Sequence, residues 1–308
     1  MSRGAFRVEH PVGPDGLVVL RVRDGDIRIR GVERDTAIVE ARDGEAAASL
    51  TVERGTASLT ITAGPGVATP DLDLDVPVGA TVLIEASSSD IKAKGLTGQQ
   101  RYHTTSGDVE LGDVAGDLSV EAVSGDLAIV AVGPASIAAR TVSGDLTVRG
   151  TVLSTLRAST TSGDLSIDTA VVGDGPFTVE TVSGDADLRS RGPVRVETTT
   201  LTGSISSDGD VAAEGPENAR ILVAGRGGPT LRFRSTSGDF HLDARGSRAA
   251  ATNADVPALP APATAAPASD AAMPGTEDLA LAVLQALERG EIDPAEAARR
   301  LDAQGDRS

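Results

Sequence analysis

The stretch ARTVSGDLTVRG, Ala139 to Gly150, returns one period later as ASTTSGDLSID (Ala158–Asp168) and again as VETVSGDADLR (Val179–Arg189). Aligned on the Asp of Ser-Gly-Asp, the copies fall at Asp90, Asp108, Asp126, Asp145, Asp164, Asp185, a degenerate Ser204 in LTGS, and Asp239. The steps are 18, 18, 19, 19, 21, 19 and 35 residues. The last is nearly two periods, and ARILVAGRGG (Ala219–Gly228) is read as supplying the missing turn. A half-step copy, VAGDLSV around Asp117, indicates that one period holds two similar strands.

A repeat near 19 residues is too short for a propeller blade or a helical hairpin and suits one coil of a β-solenoid. The columns agree. One and three residues after the Asp stand Leu127 and Ile129, Leu146 and Val148, Leu165 and Ile167, a period of two that aims both at one interior. Eight and six residues before it, Leu118 and Val120, Ile137 and Ala139, Leu156 and Ala158 form a second inward pair. The pairs have opposite parity, so the chain turns a corner between them. Thr104, Thr141, Thr160, Thr181, Thr200 and Ser235, four residues before the Asp, predict a stacked hydroxyl column at that corner. Each coil buries roughly four aliphatic side chains at about 1.5–3 kcal/mol each, which offsets ordering entropy only when coils stack. The fold class is therefore all-β, a parallel β-solenoid of about 18–21 residues per coil, with the right-handed sense that crossovers favour.

The ends differ. Upstream, residues 1–85 alternate with a looser period; DGDIRIRG (Asp24–Gly31) reads as an early coil, and ERGTAS (Glu53–Ser58) as the turn of a partly antiparallel cap that covers an open edge. Residues 86–246 carry the repeats, and residues 247–275 form a Pro/Ala-rich linker without apolar period. Residues 276–308 predict a helical hairpin capped by Thr276, broken at Gly290 and restarted by the capping box Asp293-Pro294-Ala295-Glu296. Its apolar seam, Leu279, Val283, Leu284, Leu287, Ile292 and Leu301, is too small to fold with much margin and reads as a docking or self-association element.

Composition narrows the function. The net charge of -17 argues against nucleic acid, which needs an excess of Lys and Arg. Eight acidic against four basic residues between Thr276 and Ser308 argue against a DNA-reading hairpin. There is no cysteine, so disulfides and thiol chemistry are excluded. No run approaches the ~20 apolar residues of a membrane helix and no signal-type segment opens the chain, so a cytoplasmic protein, at most peripheral to the envelope, is expected.

Candidate chemistry reduces to the turn. Asp108, Asp126, Asp145, Asp164, Asp185 and Asp239 would form a calcium ladder by analogy with β-rolls, but one Asp and one Ser per coil fall short of the six to eight oxygens calcium takes. The favoured reading is a turn with Gly at positive φ and with Ser and Asp accepting local N–H bonds. His10, His103 and His241 lack zinc spacing. The six equivalent serines, Ser106 to Ser237, argue for architecture, since a nucleophile is singular. A carbohydrate-active enzyme would need a non-repeated cluster of acids and bases on one face. None is legible, and the least repetitive charges, Arg220, Arg226, Arg232 and Arg234, read as a solvated strand face. No cofactor site is expected.

The succession DLDLDVPVGATVLIEASSSDIKAKGLTGQQRYHTTSGDVELGDVAGDLSVEAVSGDLAIV resembles the DUF4097 family, bacterial β-strand repeat proteins that carry an adhesin label. The segment LQALERGEIDPAEAARRLD is similar to the SHOCT-like hairpin that accompanies such repeats in envelope-stress proteins. The resemblance implies a non-enzymatic β-solenoid with an interaction or sensing role near the envelope, and carries over no catalytic residue.

Overall fold

The computed structural model describes residues 6–42, 50–64 and 68–244, which form 22 strands and, among these residues, no helix. In the middle of the molecule one strand carries the chain most of the way round. β11 (Val109–Ser124), β12 (Leu127–Arg140) and β13 (Leu146–Ser162) run 16, 14 and 17 residues and pair in parallel along both halves. Register shifts between Leu111 and Val114, and between Ala131 and Pro134, mark where each bends on the side opposite the Ser-Gly-Asp corner. Both inward pairs face the core as the alternation predicts: Leu127, Ile129, Leu146 and Val148 after the corner, and Ile137, Ala139, Leu156 and Ala158 before it, are all at most 3% exposed.

The corner divides the continuous sheet into an upstream and a downstream face. On the upstream face the parallel order is β6 (Ser58–Ala63), β2 (Leu17–Arg21), β8 (Thr81–Ser88), β10 (Gln100–Ser106), the later halves of β11, β12 and β13, β15 (Phe177–Ser183), β21 (Thr230–Ser237) and β17 (Val194–Thr202). On the downstream face it is β7 (Leu72–Pro77), β3 (Ile27–Val32), β9 (Ile91–Lys94), the early halves of β11 to β13, β14 (Leu165–Thr169), β16 (Ala186–Ser190), β22 (Phe240–Asp243) and β18 (Ile205–Asp208).

Stacking is thus sequential only in the centre. The first coil, β2–β3, lies second from one end, and the last, β21–β22, lies second from the other. This corrects the expectation that Ala219–Gly228 supplies a missing coil: β20 (Ala219–Ala224) runs antiparallel on β17, with β19 (Val211–Glu214) antiparallel on it, as an end cap. At the opposite end β4 (Thr36–Ala41) is antiparallel to β7 and β1 (Arg7–Pro11) to β4. There β5 (Leu50–Arg54) forms the expected hairpin with β6, closed by the Gly55 N–H to the Ser58 carbonyl at 2.9 Å. Antiparallel strands cover three of the four face ends, at β6, β7 and β17, and so leave no open parallel edge there.

The β10 coil places a wholly polar-tipped pair in the core. In β10 the inward pair is Gln100 and Tyr102, both at most 1% exposed. The Tyr102 hydroxyl donates to Gln100 Oε1 at 3.1 Å, and Gln100 Nε2 donates to the Leu96, Gly98 and Ala115 carbonyls at 3.3 Å. Polar groups so deep are tolerated because each has a partner; burial pushes the Tyr102 phenol upward.

Candidate functional site: the corner ridge and the charged downstream face

The corner begins with glycine. Gly144 has φ of 139°, and a Cβ there would lie 2.1 Å from the Gly125 carbonyl oxygen. Glycine is therefore required both by the turn and by the close stacking of coils. The next residue ties coil to coil. Asp108 N–H donates to Asp90 Oδ1 at 3.0 Å, Asp126 to Asp108 at 2.9 Å, Asp145 to Asp126 at 2.8 Å, Asp164 to Asp145 at 2.9 Å and Asp185 to Asp164 at 2.9 Å. Asp239 N–H then donates to Asp185, and Ser204 N–H to Asp239, each at 2.8 Å. At the other end Asp26 N–H donates to Asp71 Oδ1 at 3.0 Å. The turn reading holds for glycine, but the carboxylates accept from the neighbouring coil, not from their own turn. The Ser204 N–H holds the Asp239 carboxyl below the usual carboxylate range.

The hydroxyl column forms as expected. Thr104, Thr141, Thr160, Thr181 and Thr200 are at most 5% exposed, and the Thr104, Thr141 and Thr200 hydroxyls donate two residues ahead to the Ser106, Ser143 and Thr202 carbonyls. Immediately outside it runs a column the sequence reading passed over. Val123, Val142, Val182 and Leu201, each three residues before its corner position, are 45%, 41%, 49% and 73% exposed. Thr161 and Thr236 fill the same position in the coils between. The ridge thus carries a methyl-rich line beside a line of carboxylates, each with one oxygen engaged by its neighbour. Among the described residues no three His, Asp or Glu side chains converge on a metal position.

The downstream face holds a shallow depression of about 250 Å³ lined by Arg149, Asp168, Asp187, Arg189, His241 and Asp243. Sequence reasoning missed this group because β16 and β22 meet across 54 positions: Asp187 pairs with His241 and Arg189 with Asp243 in register. Their shared offsets, two and four residues beyond the corner, were the available signal. Its charges are stitched to one another: Arg191 donates to both Asp168 oxygens at 2.7 and 2.8 Å, and Arg189 Nε lies 3.4 Å from Asp243 Oδ2. The Arg191 guanidinium holds the Asp168 carboxyl below its usual range. His241 Nδ1 lies 3.0 Å from Ser206 Oγ, and its Nε2 lies 3.9 Å from Asp208 Oδ2.

The remaining candidates scatter. His10 Nε2 donates to the Gly55 carbonyl at 2.7 Å, and His103 Nδ1 lies 3.5 Å from Glu121. Arg232 faces Glu197 at 3.4 Å and Arg234 faces Glu180 at 3.9 Å, on the strand face as expected. Arg226 is exposed after β20, whereas Arg220 donates to the Ile205 carbonyl at 3.0 Å and covers the last downstream strand. The seam Leu279 to Leu301 lies outside the described residues. Among the described residues no helix is long and apolar enough to cross a membrane.

Comparison with known proteins places this architecture. No curated protein matches the chain. Among solved structures, a "putative adhesin" from Bacteroides fragilis is 10% identical, with 79% of this chain and 97% of that one covered at a TM-score of 0.37. One from Parabacteroides distasonis is 13% identical, with 78% and 96% covered and a TM-score of 0.37. A "putative cell adhesion protein" from Clostridium sporogenes is 12% identical, with 78% and 99% covered and a TM-score of 0.23. The sequence profile of the Toastrack DUF4097 family matches residues 69–243, more than half of the chain and every ladder corner from Asp90 to Asp239; the chain belongs to that family.

Proposed function

We propose that the protein is a non-enzymatic binding scaffold of the kind the adhesin label names, in which the rigid solenoid presents its corner ridge to a protein partner. The exposed line Val123, Val142, Val182 and Leu201 carries this reading. Four large apolar side chains at one position of six stacked coils, with Thr161 and Thr236 between them, line the ridge with exposed methyl groups, and exposed apolar surface of this kind marks interaction sites. The flanking carboxylates select a partner with basic groups beside its apolar ones. Residues 276–308 mediate oligomerisation or recruit a further partner, and a role in the bacterial envelope-stress response fits such an assembly.

Two variants test it. The triple variant Val123→Glu, Val142→Glu, Val182→Glu leaves the fold intact, because exposed sites seldom shift stability beyond about 0.5 kcal/mol. It loses the partners that the wild-type chain retains in pull-downs from envelope extracts; unchanged retention overturns the ridge reading. A chain ending at Gly246 loses oligomeric mass or a retained partner by light scattering and pull-down. Unchanged mass and partners overturn the assembly role of the C-terminal segment.

A further inference from the structure

The stacking order leaves one coil in an unusual position. Among the described residues β17 pairs only with β20 and β21, and β18 only with β22. Every ladder hydrogen bond that joins the end module β17–β20 to the solenoid therefore passes through the terminal coil, Thr230–Asp243. The chain built the two walls of this slot first. Arg191–Pro193, three residues, carry it from β16 past the place that β21–β22 later fill, to β17 beyond.

The slot is specific about its occupant. Leu231, Phe233, Phe240 and Leu242 are at most 1% exposed within it, and the Phe233 and Phe240 rings meet at 4.5 Å. Asp239 both donates to Asp185 and accepts from Ser204, so only a segment with an Asp at its corner continues the ladder across. On its N-terminal side the coil is joined to the end module through Gly225–Pro229, where Gly225 and Gly227 have φ of 70° and 80°.

We infer that this slot is a site for a second copy of the chain, which fills it with its own Thr230–Asp243 coil while donating its slot in return. A coil from either copy makes the same contacts, so exchange sacrifices no packing and only the hinge and the association entropy separate the two forms. The reading is independent of the ridge and of residues 276–308.

The test uses the full chain, which has no native cysteine. Ser183 and Ser237 are register partners on β15 and β21, and Ser162 and Ser183 on β13 and β15. In S183C/S237C, oxidation before incubation staples the coil in place, and oxidation after incubation at high concentration just below the denaturant midpoint records where it went. Reduced protein is expected to double in mass from 31.1 kDa, with late oxidation giving a covalent dimer, whereas early-oxidised protein stays monomeric. The control S162C/S183C, stapled away from the slot, still dimerises. A reduced chain that stays monomeric at every concentration overturns the inference. So does equal dimerisation of stapled and unstapled S183C/S237C, which assigns the dimer to another surface.

Discussion

Replacing Asp145 by Asn separates the hydrogen-bonding role of the ladder from its charge. Asp145 stands between Asp126 and Asp164, accepts the Asp164 N–H at 2.9 Å and donates its own N–H to Asp126 at 2.8 Å. With coils about 4.8 Å apart, each neighbouring carboxylate repels it by about 0.9 kcal/mol in water, or about 1.7 kcal/mol for the two. Asparagine keeps the acceptor oxygen but turns a charge-assisted bond into a neutral one, a loss of about 0.5–1 kcal/mol. At 10 mM salt, where the Debye length of about 30 Å leaves the repulsion unscreened, Asp145→Asn gains about 1 kcal/mol. At 1 M salt the length falls to about 3 Å, the repulsion nearly vanishes, and the same variant loses about 0.5 kcal/mol.

Thermal unfolding in EDTA reads this directly, since 1 kcal/mol moves Tm by about 2–4 °C in a body of this size. The expected result is a Tm above wild type at low salt that crosses below it as salt rises. Asp145→Ala, which keeps the charge relief but orphans the Asp164 N–H, lies below Asp145→Asn throughout by about 1 kcal/mol. A calcium ladder makes the opposite forecast. If millimolar calcium raises the wild-type Tm and Asp145→Asn abolishes the rise, the structural reading of the ladder is wrong.

Glycine at the corner gives a second contrast: Gly163→Ala meets both φ of 137° and a carbonyl 2.2 Å from the new Cβ, costing more than about 2 kcal/mol. Gly173→Ala, with φ of 83° in open space, costs about 1–2 kcal/mol; equal losses in chemical denaturation would remove coil contact as the reason for glycine. Phe240→Ala costs about 3–5 kcal/mol and strips hydrogen-exchange protection from β17–β20 before the central coils; uniform loss of protection would show that the end module does not depend on the terminal coil. The Asp73 and Asp168 carboxyls are held low by Arg42 and Arg191, so the unfolded chain binds more protons as pH falls. Their stabilisation is fully present above about pH 4, the unfolded carboxylate range, and is lost as pH falls through the folded values. The Tm gap between wild type and Asp168→Asn should therefore close on acidification, and a constant gap would refute the pairing.

The repeat made the coil legible and left the stack illegible, for a physical reason. Every coil exposes the same two parallel edges, so period and alternation specify what a coil is without saying which coil it meets. Leu146, Val148, Leu156 and Ala158 could be assigned inward from spacing alone, and Gly144 to positive φ, because those facts are local. The pairing of Asp187 with His241 and of Arg189 with Asp243 depends on order, so the charged downstream depression could not be assembled from the sequence columns until β22 was placed beside β16. The ridge of Val123, Val142, Val182 and Leu201 was missed differently. Alternation assigns residues to two faces, whereas at a corner consecutive residues both point outward, so a valine beside a serine gave no signal of exposure.

Order nevertheless had one marker in the sequence. The ladder is polar: from Asp108 to Asp239 each corner residue donates its backbone N–H toward one end and offers a carboxylate oxygen to the other. A coil whose corner lacks a carboxylate can attach to the stack but cannot receive a further ladder coil, so it belongs at the receiving end. Ser204 is the only such corner among the eight aligned positions, and it is the corner that donates to Asp239 with, among the described residues, no ladder coil beyond it. Placing Ser204 last forces Asp239 inside it, and with Asp239 come β21, β22 and the slot they fill. The degenerate repeat is thus a stop signal for the ladder. Ser204→Asp extends the acceptor row by one carboxylate without adding a coil. It should leave the fold intact and lower stability at low salt by about the 0.9 kcal/mol of one neighbouring charge, a penalty that 1 M salt removes. A loss that persisted at high salt would mean that Ser204 is there for packing and not for the polarity of the ladder.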